Sequence, residues 1–191
     1  WTDAGRSGGA MTFDGLAAHM YGALDVSETS YAASMWFKTT ANGGLFSVHT
    51  TDLSPDSDRH LWVTSGNIAA RTWSNETITT SGLNVSDGKW HHLVHTFGDD
   101  VGGQKIYIDG VLAKDGIKAN SDYSAQTGID IGFSNDGLPT FMAGQIDELY
   151  IYDRALNADE IAVWAGISDS VDLSAAKITV TADSTLRVNA S

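Results

Sequence analysis

The segment that indicates the fold of this chain most clearly is Phe141-Met-Ala-Gly-Gln-Ile-Asp-Glu-Leu-Tyr-Ile-Tyr-Asp-Arg-Ala-Leu-Asn-Ala-Asp-Glu-Ile161. Its first part places β-forming residues in near-alternation, which predicts a strand over 145–152. Asn157 is then followed three residues later by Glu160, the spacing of a helix N-terminal capping box. The stretch therefore predicts a last core strand that leads into a short amphipathic helix.

A second motif predicts a strand followed by a hairpin. The sequence Asp87-Gly-Lys-Trp-His-His-Leu-Val-His-Thr-Phe97 begins with a turn and continues as a strand with an aromatic start. In the following segment, β-formers at 105–108 and 111–113 flank Asp109-Gly110, a dipeptide typical of the type I′ turn. Both halves indicate antiparallel β-structure.

Short runs of β-formers separated by turn residues recur along the chain, which is the pattern of a sandwich or jelly roll. Besides the segments above, we expect strands at 10–13, 30–38, 44–49, 61–65, 68–73, 76–80 and 128–133. Both prolines, Pro55 and Pro139, fall between these segments, as a sheet protein requires. The sequence therefore predicts an all-β, antiparallel β-sandwich with one short helix near its carboxyl end.

The two motifs, in this order, resemble the laminin G-like and pentraxin families of concanavalin A-like jelly rolls. The shared features are the strand with Lys89-Trp-His-His92, the hairpin with Tyr107-Ile-Asp-Gly110 and the last strand with its helix. Upstream segments 34–38 and 43–48 extend the resemblance over residues 10–166. It implies a binding domain for sugars or other exposed ligands, often one that uses calcium.

The net charge and the absence of cysteine limit the partners and the cellular location that we expect. The chain has 191 residues, a formal net charge of −13 and no cysteine. An acidic surface repels phosphate backbones and anionic lipid heads, so nucleic acid and membrane surfaces are poor partners. Secreted animal domains of this size usually have disulfides, so their absence favours a bacterial extracellular or cell-surface protein.

The length is that of one domain, and we expect it to occupy residues 1–168. Residues 169–191 contain two short alternating runs, which predict either a closing hairpin or the first strands of a following domain. The chain begins at Trp1 without an initiator Met, so we interpret it as a piece of a larger multidomain protein.

Several loops are rich in the oxygen groups that Ca²⁺ prefers. The segment 50–60 has three carboxylates, and Ser134-Asn-Asp-Gly137 and Asn120-Ser-Asp122 offer further carboxylates and amides. None has the spacing of an EF-hand. Asp and Asn are also ordinary turn residues that bond their own backbone, so any one of them taken alone is a turn residue more readily than a ligand.

The family resemblance selects among these groups. It implies a calcium ligand at Asp58, just before a strand, and further ligands at Asn135 and Asp136, after the Ile-Gly pair at 131–132. Pentraxins have a glutamate where this chain has Ser134, which implies one ion rather than two. The laminin G pattern nominates Asp122 in addition.

Around this ion we expect a ligand to contact Asp58, Arg59, His60, Asn135 and Asp136. Trp62 and Arg71 are further candidates, because they lie next to the same acidic loop in the predicted sheet. We expect the strand histidines and Trp36, Trp73, Trp90 and Trp164 to be structural, with the tryptophans mostly in the core. Asp147 is expected to bond the turn at 13–15.

Three functional hypotheses remain open. The first is a calcium-dependent lectin domain of a bacterial adhesin that binds neutral sugars such as fucose, mannose or galactose; Arg59 offers the alternative of an anionic sugar. The second is a glycoside hydrolase, which needs two carboxyls on one strand face, whereas this chain has Gln145 at the position of the nucleophile. The third is a protein–protein module with structural calcium. The sequence favours the first and speaks against an enzyme.

Overall fold

The computed structural model describes residues 1–53, 57–73, 76–119 and 126–167. The described part contains twelve strands, one α-helix and one short 3₁₀ helix, Asp99–Val101. The elements are β1 (Met11–Asp14), β2 (Met20–Ala23), β3 (Tyr31–Thr39), β4 (Gly43–His49), β5 (Ser57–Thr64), β6 (Asn67–Arg71), β7 (Thr77–Thr79), β8 (Trp90–Gly98), β9 (Gly103–Ile108), β10 (Val111–Gly116), β11 (Gly128–Ile131), β12 (Ala143–Tyr152) and α1 (Ala158–Trp164).

The strands form two antiparallel sheets. Sheet 1 has the order β1-β12-β3-β8-β9-β10, and sheet 2 has the order β2-β11-β4-β5-β6-β7. Neighbouring strands such as β11 and β4 come from distant parts of the chain, which is typical of a jelly roll. The predicted all-β sandwich with one short helix near the carboxyl end is confirmed. The two alternating runs within 169–191 and the boundary at 168 lie outside the described residues.

The core lies between the inner faces of the two sheets. Strands alternate their side chains between two faces, so a half-buried strand puts every second residue into the core. Large apolar side chains from both sheets are fully buried there, among them Phe37, Phe46, Leu61, Leu93 and Ile106. This layer fixes which residues of each strand face outward.

Two local predictions are confirmed. Asp109 and Gly110 have φ values of 50° and 78°, the positive angles that a type I′ turn requires. The side chain of Asn157 accepts hydrogen bonds from the backbone N–H groups of Asp159 and Glu160, and the Glu160 carboxylate accepts from the Asn157 N–H. The capping box therefore starts α1 where the sequence indicates.

Two structural predictions are wrong. Asp147 bonds not the turn at 13–15 but the backbone N–H of Ser7, at 3.0 Å. The tryptophans expected in the core are not buried: Trp73 and Trp164 are 41% and 39% exposed, and Trp36 and Trp90 are half-buried. Trp36 and Trp90 alternate with the core positions of β3 and β8 and therefore face outward. Trp73 follows the end of β6, and Trp164 lies in α1.

Candidate functional site

A bulge in β5 determines where the predicted site residues point. Between the pairs Val48–Asp58 and Phe46–Leu61, β5 has one residue more than β4. Arg59, in the bulge, has a φ of 46°. Asp58 is opposite the core residue Val48, so its side chain points into the sandwich.

Asp58 and Arg59 form a buried ion pair inside the sandwich. Arg59 Nε donates to Asp58 Oδ1 at 2.8 Å, and Arg59 Nη1 donates to the carbonyls of Val26 and Ser27. Gln126 donates to both Asp58 oxygens in the amide orientation that satisfies both groups. Burial raises the pKa of Asp58 to about 6 although Arg59 opposes the rise. These bonds hold the 26–27 segment against β5.

His60 and Arg71 lie on the other side of the sheet. They are opposite each other, next to the pair of core residues Leu61 and Ala70. Because side chains alternate along strands, His60 and Arg71 belong to the outer face of sheet 2. His60 Nδ1 lies 2.9 Å from the Ser134 hydroxyl.

The loop between β11 and β12 covers part of this outer face. A Cβ on Gly44 would clash with the backbone nitrogen of Ser134, so only a glycine at this position of β4 lets the loop pack so closely. The loop places Asp136 against β6, where Arg71 Nε donates to Asp136 Oδ2. Ser134 also orders the loop, since its hydroxyl accepts from the Asp136 N–H.

The structure does not bring the predicted calcium ligands together. Asp58 points into the sandwich, whereas Asp136 lies against the outer face, and each carboxylate has an arginine partner. Asp58, Arg59 and His60 are at most 1% exposed, which leaves Asn135 and Asp136 as the predicted contacts that a ligand can reach. Asp122 lies outside the described residues. Calcium binding at these positions stays a prediction, and Asp58 does not fit it.

An accessible surface lies beside the covered part of the outer face. We define the outer-face surface as Trp62, Arg71, Asn135 and Asp136. Trp62 is opposite Ala69 and therefore diagonal to Arg71, within reach across the strand pair. All four residues are partly exposed. Trp62 and Arg71 thus lie where a ligand could reach them, and their contact with a ligand stays a prediction.

A second cluster lies at the β11 side of the same face and was not predicted as a site. His19, Asp52 and Asp130 each offer a ligand atom, and these atoms all lie within 4.8 Å of one another. Burial raises the pKa of Asp130 to about 6. In the sequence, Asp130 is the one carboxylate of the otherwise apolar strand Gly-Ile-Asp-Ile. A charge buried in such a strand is costly without a partner, and this is the one sequence signal that could have indicated the cluster.

Three comparisons place the fold among known proteins. Residues 10–162 match the family described as the concanavalin A-like lectin/glucanases superfamily, of laminin G type. Human neuronal pentraxin-2 is 22% identical over 151 residues, which are 74% of this chain but 35% of that protein. The chain thus spans about a third of that relative's length.

Solved structures agree on the architecture. The SAP-like pentraxin of Limulus polyphemus superimposes with a TM-score of 0.62 at 17% identity, over 81% of this chain and 80% of that one. Domain 4 of AbnA, an extracellular arabinanase of Geobacillus stearothermophilus solved with arabinotriose, gives a TM-score of 0.64 at 20% identity, over 84% and 78%.

Laminin domains complete the comparison. Domains LG4-5 of the mouse laminin α1 chain give a TM-score of 0.60 at 17% identity, over 83% of this chain and 45% of that one. The solved structures are at most 20% identical to this chain and therefore show the fold alone. The family match covers most of the chain and shows the family. The chain belongs to the laminin G-type group of the concanavalin A-like lectin/glucanase superfamily.

Proposed function

We propose that this domain binds neutral carbohydrates through the outer-face surface and catalyses no reaction. The observation that carries the proposal is the juxtaposition of a partly exposed indole, Trp62, with the hydrogen-bonded pair Arg71–Asp136. A sugar ring has an apolar C–H face and a rim of hydroxyls. An indole can pack against the C–H face. A guanidinium can donate hydrogen bonds to the hydroxyls, and a carboxylate can accept hydrogen bonds from them.

The charges of this surface favour uncharged sugars. Arg71 is its cation, and Asp136 already neutralises it. Arg59, the residue that suggested an anionic sugar, is 0% exposed and pairs with Asp58. The net charge of −13 opposes the approach of sialylated or uronate-bearing chains. Fucose-, mannose- and galactose-containing glycans are therefore the proposed ligands.

A structural neighbour supports this class of ligand. The arabinanase domain of similar fold was solved with arabinotriose, which is a neutral oligosaccharide. In this chain Gln145 occupies the position of a hydrolase nucleophile. The carboxylate of Asp147, on the same strand, accepts hydrogen bonds from the N–H groups of Ser7 and Glu148. Binding without hydrolysis is the proposal that both observations favour.

The setting we propose is extracellular, in a bacterial adhesin or related surface protein. The chain has no cysteine and an acidic composition, which suit an exported bacterial domain stabilised by its core. Laminin G and pentraxin-like domains are typically extracellular. Among the described residues, no helix is long and apolar enough to cross a membrane.

Calcium is a separate part of the proposal. Pentraxin and laminin G domains often bind calcium. In this chain Asn135 and Asp136 are the accessible members of the predicted set, and Ca²⁺ requires six to eight oxygens. We therefore derive sugar recognition from Trp62, Arg71 and Asp136 and test calcium independently.

The test is a glycan array at physiological salt, read once with calcium and once with EDTA. We expect neutral glycans to bind the wild-type domain and the variant Asp136→Asn to lose at least tenfold in affinity. Binding that survives EDTA would contradict calcium dependence and leave sugar recognition standing. An array on which neutral glycans fail in both buffers would refute the proposal and favour a protein-binding module.

A further inference from the structure

We propose that His19, Asp52 and Asp130 form a binding site for a divalent transition-metal ion of the Zn²⁺ type. This site is separate from the outer-face surface, and its residues come from three distant segments of the chain. Among the described residues, it is the one group of three or more acidic or histidine side chains whose ligand atoms meet this closely.

The distances fit a small ion. His19 Nε2 lies 2.8 Å from Asp52 Oδ1 and 4.0 Å from Asp130 Oδ1. Two ligands of a tetrahedral Zn²⁺ at its usual bond lengths are roughly 3.4 Å apart. The two observed distances bracket this value, so a change of well under 1 Å in each would give the ion's geometry.

Asp130 presents one oxygen to the cluster and bonds the protein with the other. Its Oδ2 accepts from the N–H of Leu53 at 3.1 Å and lies 3.1 Å from His49 Nε2. Its Oδ1 is buried and has no hydrogen-bond partner within the described part of the chain. A buried carboxylate oxygen without a donor is costly, and a metal ion would satisfy it. Carboxylates that bind a metal ion through one oxygen typically accept hydrogen bonds from the protein at the other.

The orientation of His19 points to a cation as well. His19 Nδ1 lies 3.0 Å from the carbonyl oxygen of Ala17, which only accepts, so Nδ1 has the proton. A neutral His19 therefore directs the lone pair of Nε2 at Asp52 Oδ1, which also only accepts. Either a second proton or a metal ion must lie between these two atoms.

The ligand types decide the class of metal. Imidazole nitrogen with two carboxylates suits Zn²⁺ and its first-row neighbours, whereas Ca²⁺ takes six to eight oxygens. The side chain of Asp52 is 52% exposed, so the cluster is open to solvent on that side. Water would fill the remaining coordination positions.

A second histidine in the chain provides a matched control. His91 also has two carboxylate neighbours, Asp109 at 2.8 Å from Nδ1 and Asp87 at 3.1 Å from Nε2. The two carboxylates contact opposite sides of the ring, so one ion cannot bind both together with a ring nitrogen. His91→Gln should leave metal binding unchanged.

The experiment is isothermal titration of the tag-free, chelator-treated protein with ZnCl₂ and, separately, with CaCl₂. We expect one Zn²⁺ per chain, a loss of at least tenfold in affinity for His19→Gln and Asp130→Asn, and wild-type affinity for His91→Gln. Ca²⁺ should not compete at equal concentration. Replacement of Zn²⁺ by Co²⁺ should give visible absorption bands that His19→Gln abolishes.

Asp52→Asn is a ligand variant that we expect to fold like the wild type, because the exposed side chain can change without disturbing the core. Circular dichroism checks the fold of each variant. Absence of Zn²⁺ binding by the wild type would show that a proton occupies the position and would overturn the proposal. Equal binding by the wild type and Asp52→Asn would overturn it as well. Neither result bears on sugar binding, which has its own residues and assay.

Discussion

Replacing Arg59 tests whether Asp58 is a structural residue. In Arg59→Met, Asp58 would lose the donor at 2.8 Å, and the carbonyls of Val26 and Ser27 would lose theirs. Removing one partner of a buried ion pair costs about 3–5 kcal/mol, because the other charge stays buried. For a chain of this size that corresponds to a fall in Tm of roughly 6–20 °C.

The assay is urea unfolding followed by tryptophan fluorescence, with calcium and with EDTA. The matched control is Arg71→Met, which removes a pair whose side chains are about one-quarter exposed, with Asp136 at 25%. Such a pair contributes about 0–1 kcal/mol. We expect the large loss for Arg59→Met alone and the same value in both buffers.

The cost of Arg59→Met should also grow with pH. Burial raises the pKa of Asp58 from its unfolded value of 3.8 to about 6. Ionisation of Asp58 therefore lowers the free energy of unfolding as pH rises from the unfolded pKa to the folded one. Arg59 opposes the rise, and its removal should move the pKa higher. The difference between wild type and variant should therefore be larger at pH 8 than at pH 5. A loss below about 1 kcal/mol, or one that appears only with calcium, would refute the structural role of this pair.

Two further predictions concern local structure. The hydrogen bond to Asp109 raises the pKa of His91, so protonated His91 stabilises the fold below about pH 6.5 and loses this effect as pH rises through the raised pKa. Urea unfolding should therefore show His91→Gln to be more destabilising at pH 5.5 than at pH 8, and equal losses would contradict the sign. Asn157→Ala should lower the free energy of unfolding by about 1 kcal/mol, because the N–H groups of Asp159 and Glu160 lose their acceptor; an unchanged thermal melt would show that the cap contributes nothing.

Local signals in the sequence predicted local structure well. Asp109-Gly110 specifies its turn through the positive φ values of two adjacent residues, and Asn157 with Glu160 specifies the start of a helix within one turn. Such signals act over a few residues and do not depend on the rest of the fold. The family resemblance then supplied the arrangement of the two sheets.

The site depended on non-local features. The sequence grouped Asp58 with Asp136, but the bulge at Arg59 turns Asp58 into the sandwich while Asp136 reaches the outer face. Strand alternation reverses with a single extra residue, and the sequence does not show where that residue is inserted. His19 and Asp130 meet only because β2 pairs with β11, a contact between segments far apart in the chain.

The most direct test of sugar recognition by the outer-face surface is a calorimetric titration with the strongest neutral glycan from the array. It compares Trp62→Ala with Trp90→Ala, which removes a similarly half-buried indole from sheet 1. We predict that Trp62→Ala weakens binding at least tenfold, about 1.4 kcal/mol, and that Trp90→Ala binds like the wild type. Wild-type affinity in Trp62→Ala, or equal losses in both variants, would contradict the account.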